Sequence, residues 1–380
     1  MFLSHGRLPH LLEPPAYFAP QFLADEIATL LEGAPHCVAT TTNLRRPGDF
    51  ITLELLGRPI QLRNVDGVVQ AYSNVCVHRH CLLTSVAKGN NSKLRCQYHG
   101  WEYAADGRTA HIPEPKNFVP IDRDADRLEC FRVELCGQLV FVTLRDDGSL
   151  LAERLGENFD VLHNLFDDKW RPSWSWRTEL DVNWKIPIEN SLEGYHVPAV
   201  HPATFKVSPT AERTTHVLGT DWTMFQAPYV EPTWQERFMY RVEAAALAIL
   251  GRVPSRSYSH YHFFPSLLIS SSDILSIAIS VFPLGPKRTE LRVEQFTYRG
   301  ANPSLPARVV SACWSRLNRF LAHKVLQEDF SIYPAIQKGL EASTHDGCLG
   351  AIEERVHCFQ KYVTEHRRVV TSRVDSRARH

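Results

Sequence analysis

The sequence lacks an excess of charge of either sign. Its 42 Lys and Arg balance 42 Asp and Glu over 380 residues, which argues against a nucleic-acid-binding basic face and against an acidic solvating block. It lacks a long apolar run. The richest stretch, 267–286, is broken by Ser, Asp and Pro and falls short of the ~20 residues of a membrane span. The opening MFLSHGRLPHLLEPP has no charged segment followed by a continuous apolar core and a small-residue cleavage site. No GxGxxG dinucleotide fingerprint and no internal repeat is present. The nine cysteines are odd in number, spread widely and without a secretion signal, a poor disulfide framework. These absences lead us to expect a soluble, cytoplasmic protein that contacts neither membrane nor nucleic acid and carries no nucleotide-binding domain of its own. The 44 % of apolar residues is ordinary for a globular chain, and the length suits two or three domains.

The chain divides by texture. Residues 1–35 hold one amphipathic helical stretch, FLADEIATLLEG, expected to pack on the last domain. Residues 36–150 read as short alternating strands punctuated by Val-Asp-Gly, Ala-Asp-Gly and Asp-Asp-Gly turns, an all-β sandwich or barrel. Residues 151–366 mix strands near 174–182, 216–229, 257–281 and 288–298 with helices near 151–166, 189–200, 234–250, 306–341 and 350–366. An antiparallel sheet with long helices is an α+β domain. The polar, basic 367–380 reads as a flexible tail.

Two Cys/His pairs stand out in the β region, Cys76-Val-His78 and Cys96-Gln-Tyr-His99. Two thiolates and two imidazoles complete a four-ligand set. Structural zinc also accepts Cys₂His₂, but zinc fingers group Cys with Cys and His with His. Here each loop supplies one of each, so the two Cys can hold one iron of a [2Fe–2S] cluster while the two His hold the other. Downstream, His196 and His201 bracket Pro198, with Glu189 and Glu193 just before them. Imidazoles with a carboxylate, leaving open positions, suit an iron(II) that binds dioxygen.

Residues 76–101, with CxHR and CxYHGW, resemble a Rieske domain, and Glu189-Asn-Ser-Leu-Glu193-Gly-Tyr-His196-Val-Pro-Ala-Val-His201 resembles the mononuclear-iron motif of Rieske non-heme iron oxygenase catalytic (alpha) subunits. The branch it looks most like is that of choline, betaine and carnitine monooxygenases. His80 departs from the pattern, which has Gly there. Cys81 lies where some respiratory Rieske proteins have a disulfide cysteine, but Gln97 and Tyr98 occupy the partner region, so an unpaired packing role is expected.

The resemblance implies a Rieske [2Fe–2S] domain beside a helix-grip catalytic domain. It implies a third iron ligand at Asp329, eight residues before Gln337 in a run like EDxxxxxxxQxGL. Glu328, next to it, is expected to face away as a solvated carboxylate. Glu193 is implied as the catalytic bridging acid, linking His196 to His99 of a neighbouring subunit in a homotrimer. Electrons from NAD(P)H would arrive through a separate flavin reductase, pass from cluster to mononuclear iron, and drive insertion of oxygen from O2 into a small organic substrate.

A quaternary amine is one substrate class, held by cation–π contact with rings among Trp222, Phe225, Tyr229, Tyr240, Tyr261, Phe263 and Phe264, for which plain core packing is the alternative. The rival activity is ring hydroxylation of an aromatic compound, and the rival class is a non-catalytic Rieske electron carrier. His260 and His262 share a strand face and are expected as pocket-wall groups rather than ligands.

Overall fold

The structure is a computed structural model that describes residues 2–202, 204, 213–228 and 234–377. Tyr229, one of the aromatic candidates, lies outside them. The chain divides into two compact units, Glu32–Leu151 and a second made of Met1–Leu31 with Ala152–His380.

The Glu32–Leu151 unit is mainly β, with short 3-10 turns at Thr41–Asn43 and Pro115–Phe118. Its seven-stranded sheet runs in the order His36–Thr40, Leu139–Thr143, Cys130–Cys136, Val68–Ser73, Arg58–Val65, Asp49–Leu55, Lys88–Asn90. The paired strands are antiparallel. Turns such as Asp66-Gly67 take positive φ at both residues, the geometry that joins tightly twisted strands. A smaller sheet of Leu94–Arg95, Glu102–Tyr103 and Thr109–His111 carries the second Cys/His loop between its first two strands.

The other unit holds a seven-stranded antiparallel sheet ordered Trp170–Leu180, Arg288–Tyr298, Leu275–Gly285, Leu267–Ser271, Ser257–Phe263, Trp222–Pro228, Thr215–Leu218. The α-helices among the described residues are α1 (Pro20–Glu26), α2 (Leu151–Leu155), α3 (Asn158–Leu165), α4 (Lys185–Ser191), α5 (Val197–Val200), α6 (Trp234–Ile249), α7 (Leu305–Ala342) and α8 (Glu354–Arg377). The last runs into the stretch read from sequence as a flexible tail. Ser304 caps α7, its hydroxyl accepting from Ala307 N. Pro334 sits inside α7 and the helix continues through it, although it cannot donate to the Phe330 carbonyl. Among the described residues no helix is long and apolar enough to cross a membrane.

One buried ion pair explains why the first 31 residues belong with a domain that begins 120 residues later. Lys185 and Glu26 are both 0 % exposed. The Lys185 Nζ donates to both Glu26 oxygens at 2.8 and 3.0 Å, and Trp184 Nε1 donates to Glu26 at 2.8 Å. Burial pushes the Lys185 ammonium down, and Glu26 opposes that. Removing either partner would strand a buried charge, at about 3–5 kcal/mol.

Candidate functional site

Two constellations are built, one in each unit.

In the Glu32–Leu151 unit the two Cys/His loops are near-copies of each other. In the first, His80 N donates to Cys76 O at 3.0 Å; in the second, Gly100 N donates to Cys96 O at 3.1 Å. In each loop the residue four after the cysteine turns left-handed, His80 at φ +57° and Gly100 at φ +74°. That turn explains why glycine suits the His80 position, since a side chain there is strained. At Gly100 a Cβ would meet the Arg95 guanidinium at 2.7 Å.

The loops sort their donors. Cys76 and Cys96 are each 2 % exposed and belong to one buried apolar cluster. His78 and His99 sit toward the surface with ring centroids 4.8 Å apart, and His78 stacks on Trp101 at 4.9 Å. Desolvation first, then His99 and Arg79, hold the His78 imidazole below its usual value, so it offers a neutral lone pair. Tyr103 OH lies 3.0 Å from the Cys76 sulfur. Cys81 is a free thiol that packs against the same apolar cluster.

A tetrahedral zinc with bonds of about 2.0–2.3 Å needs all four donors within about 4 Å of one another. Among the described residues, no three of these four bring their ligand atoms within 4.8 Å. A sulfur pair at one end and an imidazole pair at the other fit a two-metal cluster, not a single ion.

The second constellation lies where α4, α5 and α7 meet. Gln337 Oε1 accepts from Asn183 N at 2.8 Å, and Asn190 Nδ2 donates to Asp329 Oδ1 at 3.0 Å. The chain from Asn183 to Asn190 therefore runs antiparallel to Asp329–Gln337, over about two helical turns. The Asp329…Gln337 spacing is the length of that seam.

His201 Nε2 lies 3.0 Å and His196 Nε2 3.5 Å from Asp329 Oδ1. These are the only three side chains among the described residues whose potential metal-binding atoms fall within 4.8 Å of each other. Each imidazole is held from behind by a carboxylate. Glu193 Oε1 accepts from His196 Nδ1 at 2.5 Å, and Glu328 Oε2 accepts from His201 Nδ1 at 2.8 Å. With Nδ1 donating to its acid, each Nε2 is the atom turned to Asp329 and left for a metal. Burial pushes the His196 imidazole down, but Asp329 and Glu193 outweigh it and raise it to about 9, so without a metal His196 also carries a proton on Nε2, the one a metal would displace. Two imidazoles and a carboxylate converging on one point fit an iron(II) with open positions.

The Glu328 expectation is corrected here. It is not a solvated carboxylate: besides His201 it accepts from Thr204 Oγ1 at 2.9 Å. His201 and Thr204 lie over the seam between positions 328 and 329, and the longer glutamate reaches back to them. Asn190 and Tyr333 were also missed. The Asn190 amide donates to Asp329 and to Tyr333 OH; its only sequence signal was its place between two acids. Glu193 Oε2 also accepts from the backbone N–H groups of Tyr195 and His196, fixing the Gly194-Tyr195 turn.

The aromatic candidates mostly pack. Phe263 and Phe264 are buried, Tyr261 stacks on Phe263, Phe264 meets Tyr362 at 4.6 Å, and Phe225 lies edge-on to His216. His260 and His262 are buried rather than pocket-wall groups. Burial holds His260 well below its usual value and His262 at about 3.

Comparison with known proteins finds two family models. One, described as the ring hydroxylating alpha subunit (catalytic domain), matches residues 166–368, and the Rieske [2Fe-2S] domain matches residues 34–132. The chain is 27 % identical over 318 residues to the carnitine monooxygenase oxygenase subunit of Escherichia coli (strain K12), covering 82 % of this chain and 79 % of that one. It is 31 % identical over 194 residues to the glycine betaine monooxygenase oxygenase subunit of Chromohalobacter salexigens, covering 51 % and 43 %. In fold it is similar to the quaternary ammonium Rieske monooxygenase CntA solved with L-carnitine, at TM-score 0.76, 20 % identity, and coverage of 95 % and 96 %.

Proposed function

Because the chain belongs to the ring-hydroxylating alpha-subunit family and carries a Rieske [2Fe-2S] domain, we propose that it oxygenates a quaternary amine as the terminal component of its system. As a Rieske oxygenase it is an oxidoreductase that works with a [2Fe–2S] cluster, mononuclear iron and O2. The finer reading assigns Cys76, His78, Cys96 and His99 to the cluster and His196, His201 and Asp329 to the iron. The observation that carries it is the convergence of two Nε2 atoms on the Asp329 carboxylate, with both Nδ1 atoms held by acids.

When bound, these groups supply single electrons and the activation of dioxygen for C–H oxygenation. The side chains do the positioning. Glu193 and Glu328 keep the protons on Nδ1, so the imidazoles cannot change tautomer. Asn190 fixes the rotation of the Asp329 carboxylate through Oδ1. The buried cysteines and outward histidines give the cluster site one polar end through which a partner can exchange electrons. We assign that partner role to a separate flavin reductase that oxidises NAD(P)H. Assembly as a cytoplasmic homotrimer, with Glu193 of one subunit linked to His99 of the next, completes the reading. The substrate class rests on the carnitine and glycine betaine monooxygenase relatives.

The test is oxygen consumption by the iron-loaded protein with a surrogate reductase, across quaternary amines and aromatic acids. Uptake stimulated by a trimethylammonium substrate is expected. Stimulation by aromatic acids alone would replace this reading with ring hydroxylation.

A further inference from the structure

A cavity of about 560 Å³ opens at the start of α7. Its lining carries three arginines, Arg171, Arg299 and Arg308, together with Asn302 and Ser311, and no acidic residue. The arginines come from three segments. Arg171 lies in the strand Trp170–Leu180 and stands opposite Thr297 of the strand Arg288–Tyr298. The pairing runs on to Arg299, whose N–H donates to Lys169 O at 2.9 Å. Arg299 is two residues past Thr297, so it and Arg171 are diagonal neighbours on one face of the sheet. Arg308 lies in the first turn of α7.

None of the three is paired with an acid. Among the described residues no carboxylate lies within 4.0 Å of any of them. Their side chains donate to backbone carbonyls only, Arg299 Nη2 to Asp168 O at 3.4 Å and Arg308 Nε to Pro303 O at 3.3 Å. Arg171 makes no side-chain hydrogen bond among the described residues. Arg299 Nε and Ser311 Oγ are buried without any partner. Donors at this site therefore outnumber acceptors, which is uncommon in a folded protein.

The electrostatic terms all have one sign. Three cations in one cleft repel each other. The N-terminus of α7, a helix of 38 residues, adds partial positive charge, which Arg308 in the first turn opposes rather than offsets. An anion relieves every one of these terms. Guanidinium groups hold carboxylate and phosphate oxygens by paired, charge-assisted hydrogen bonds. A single negative charge would leave the cleft net positive; two or three would balance it. The volume is that of a small-molecule site, about 300–1,000 Å³, so more than a bare ion fits. At about 1.5 Å per residue, roughly 30 Å of helix separates Arg308 from Asp329.

We propose that this cleft is a second ligand site, separate from the candidate iron site. It takes a small organic molecule carrying two or more negative charges, as phosphate or carboxylate groups. Bound there, the ligand fastens the first turn of α7 to the ends of the two strands beside it. At that distance from Asp329 it is not the molecule that is oxygenated. The proposal goes beyond the quaternary-amine reading and does not depend on it.

The experiment is calorimetric titration of the iron-loaded protein at fixed ionic strength, with melting temperature read in parallel. The probes are glycerol 3-phosphate and succinate, with acetate as the singly charged control and hexaglutamate as a model of an acidic partner protein. At least one of the two dianions should bind saturably, one per chain, and raise the melting temperature with its concentration. Acetate should bind at least about 10-fold more weakly, since it leaves one or more charge-assisted hydrogen bonds unmade. Arg299→Gln and Arg308→Gln should each weaken dianion binding by about 10- to 100-fold, the worth of one such bond. Arg308→Lys should keep part of the affinity. Arg316, exposed on α7 but outside the cavity, is the charge-matched control, and Arg316→Gln should bind like wild type. Oxygen uptake by Arg308→Gln without added dianion should match wild type. No saturable binding of either dianion, or an equal loss in Arg316→Gln, overturns the proposal. Binding of hexaglutamate alone also overturns it and makes the cleft a docking surface for an acidic protein.

Discussion

Truncating Glu328 to alanine separates the site found in the structure from the one legible in the sequence. The change removes one charge-assisted hydrogen bond, 2.8 Å long, from the Nδ1 of a histidine that is 2 % exposed. It also frees the Thr204 hydroxyl. Two costs follow. The His201 Nδ1–H, on a buried ring, loses its carboxylate acceptor. The imidazole can then carry its proton on Nε2, the atom that should bind metal. Loss of an acceptor behind a metal-bound histidine weakens metal binding or activity about 10- to 100-fold, or about 1.4–2.7 kcal/mol, in line with the cost of one unmet hydrogen bond to a charged group. Glu328→Gln keeps a carbonyl oxygen in reach and should lose roughly half as much on the free-energy scale. The assay is iron(II) titration of cluster-loaded, mononuclear-iron-depleted protein, followed by substrate-dependent oxygen uptake. The visible spectrum of the cluster should not change in either variant. Wild-type iron affinity in Glu328→Ala would refute the argument and return Glu328 to the helix surface.

Purified protein should hold three irons and two labile sulfides per chain; His78→Ala or Cys96→Ser should abolish the cluster spectrum, whereas His201→Ala should keep it and lose activity. Loss of the spectrum in folded His201→Ala would contradict the assignment. Glu193→Gln should fill both sites yet slow turnover by about 10²-fold, with the loss in single-turnover electron transfer to the mononuclear iron; an unchanged rate there would make Glu193 an ordinary turn carboxylate. Burial pushes Glu294 up to about 7 from the usual ~4.3. Because its folded pKa is raised, its favourable contribution is full below pH ~4.3 and is lost as pH rises through about 7, at most about 4 kcal/mol. Urea melts from pH 5 to 8 should therefore show Glu294→Gln gaining stability relative to wild type, and parallel pH profiles would count against it.

The residues to which we assign the chemistry were legible because their geometry is local. Cys76 with His78, Cys96 with His99, and His196 with His201 lie two to five residues apart, so a single turn of backbone fixes each pair and the sequence alone states it. The strands of both sheets were legible for the same reason, through short alternation and the turns between them. Asp329 was reached through its spacing to Gln337, whose meaning as the length of a helix seam against Asn183 and Asn190 appears only in the fold. Contacts between distant segments left no local mark. Glu328 meets His201 across 127 residues and Lys185 meets Glu26 across 159. Helical periodicity assigned Glu328 and Asp329 to different faces, yet the loop after α5 lies over the boundary between those faces and takes both carboxylates. Arg355 left no local mark either; only the sheet beneath it decides that it is buried and donates to Thr223 and His260. Side-chain rotation and packing partner, not residue type, settle such roles, and these are properties of the tertiary structure.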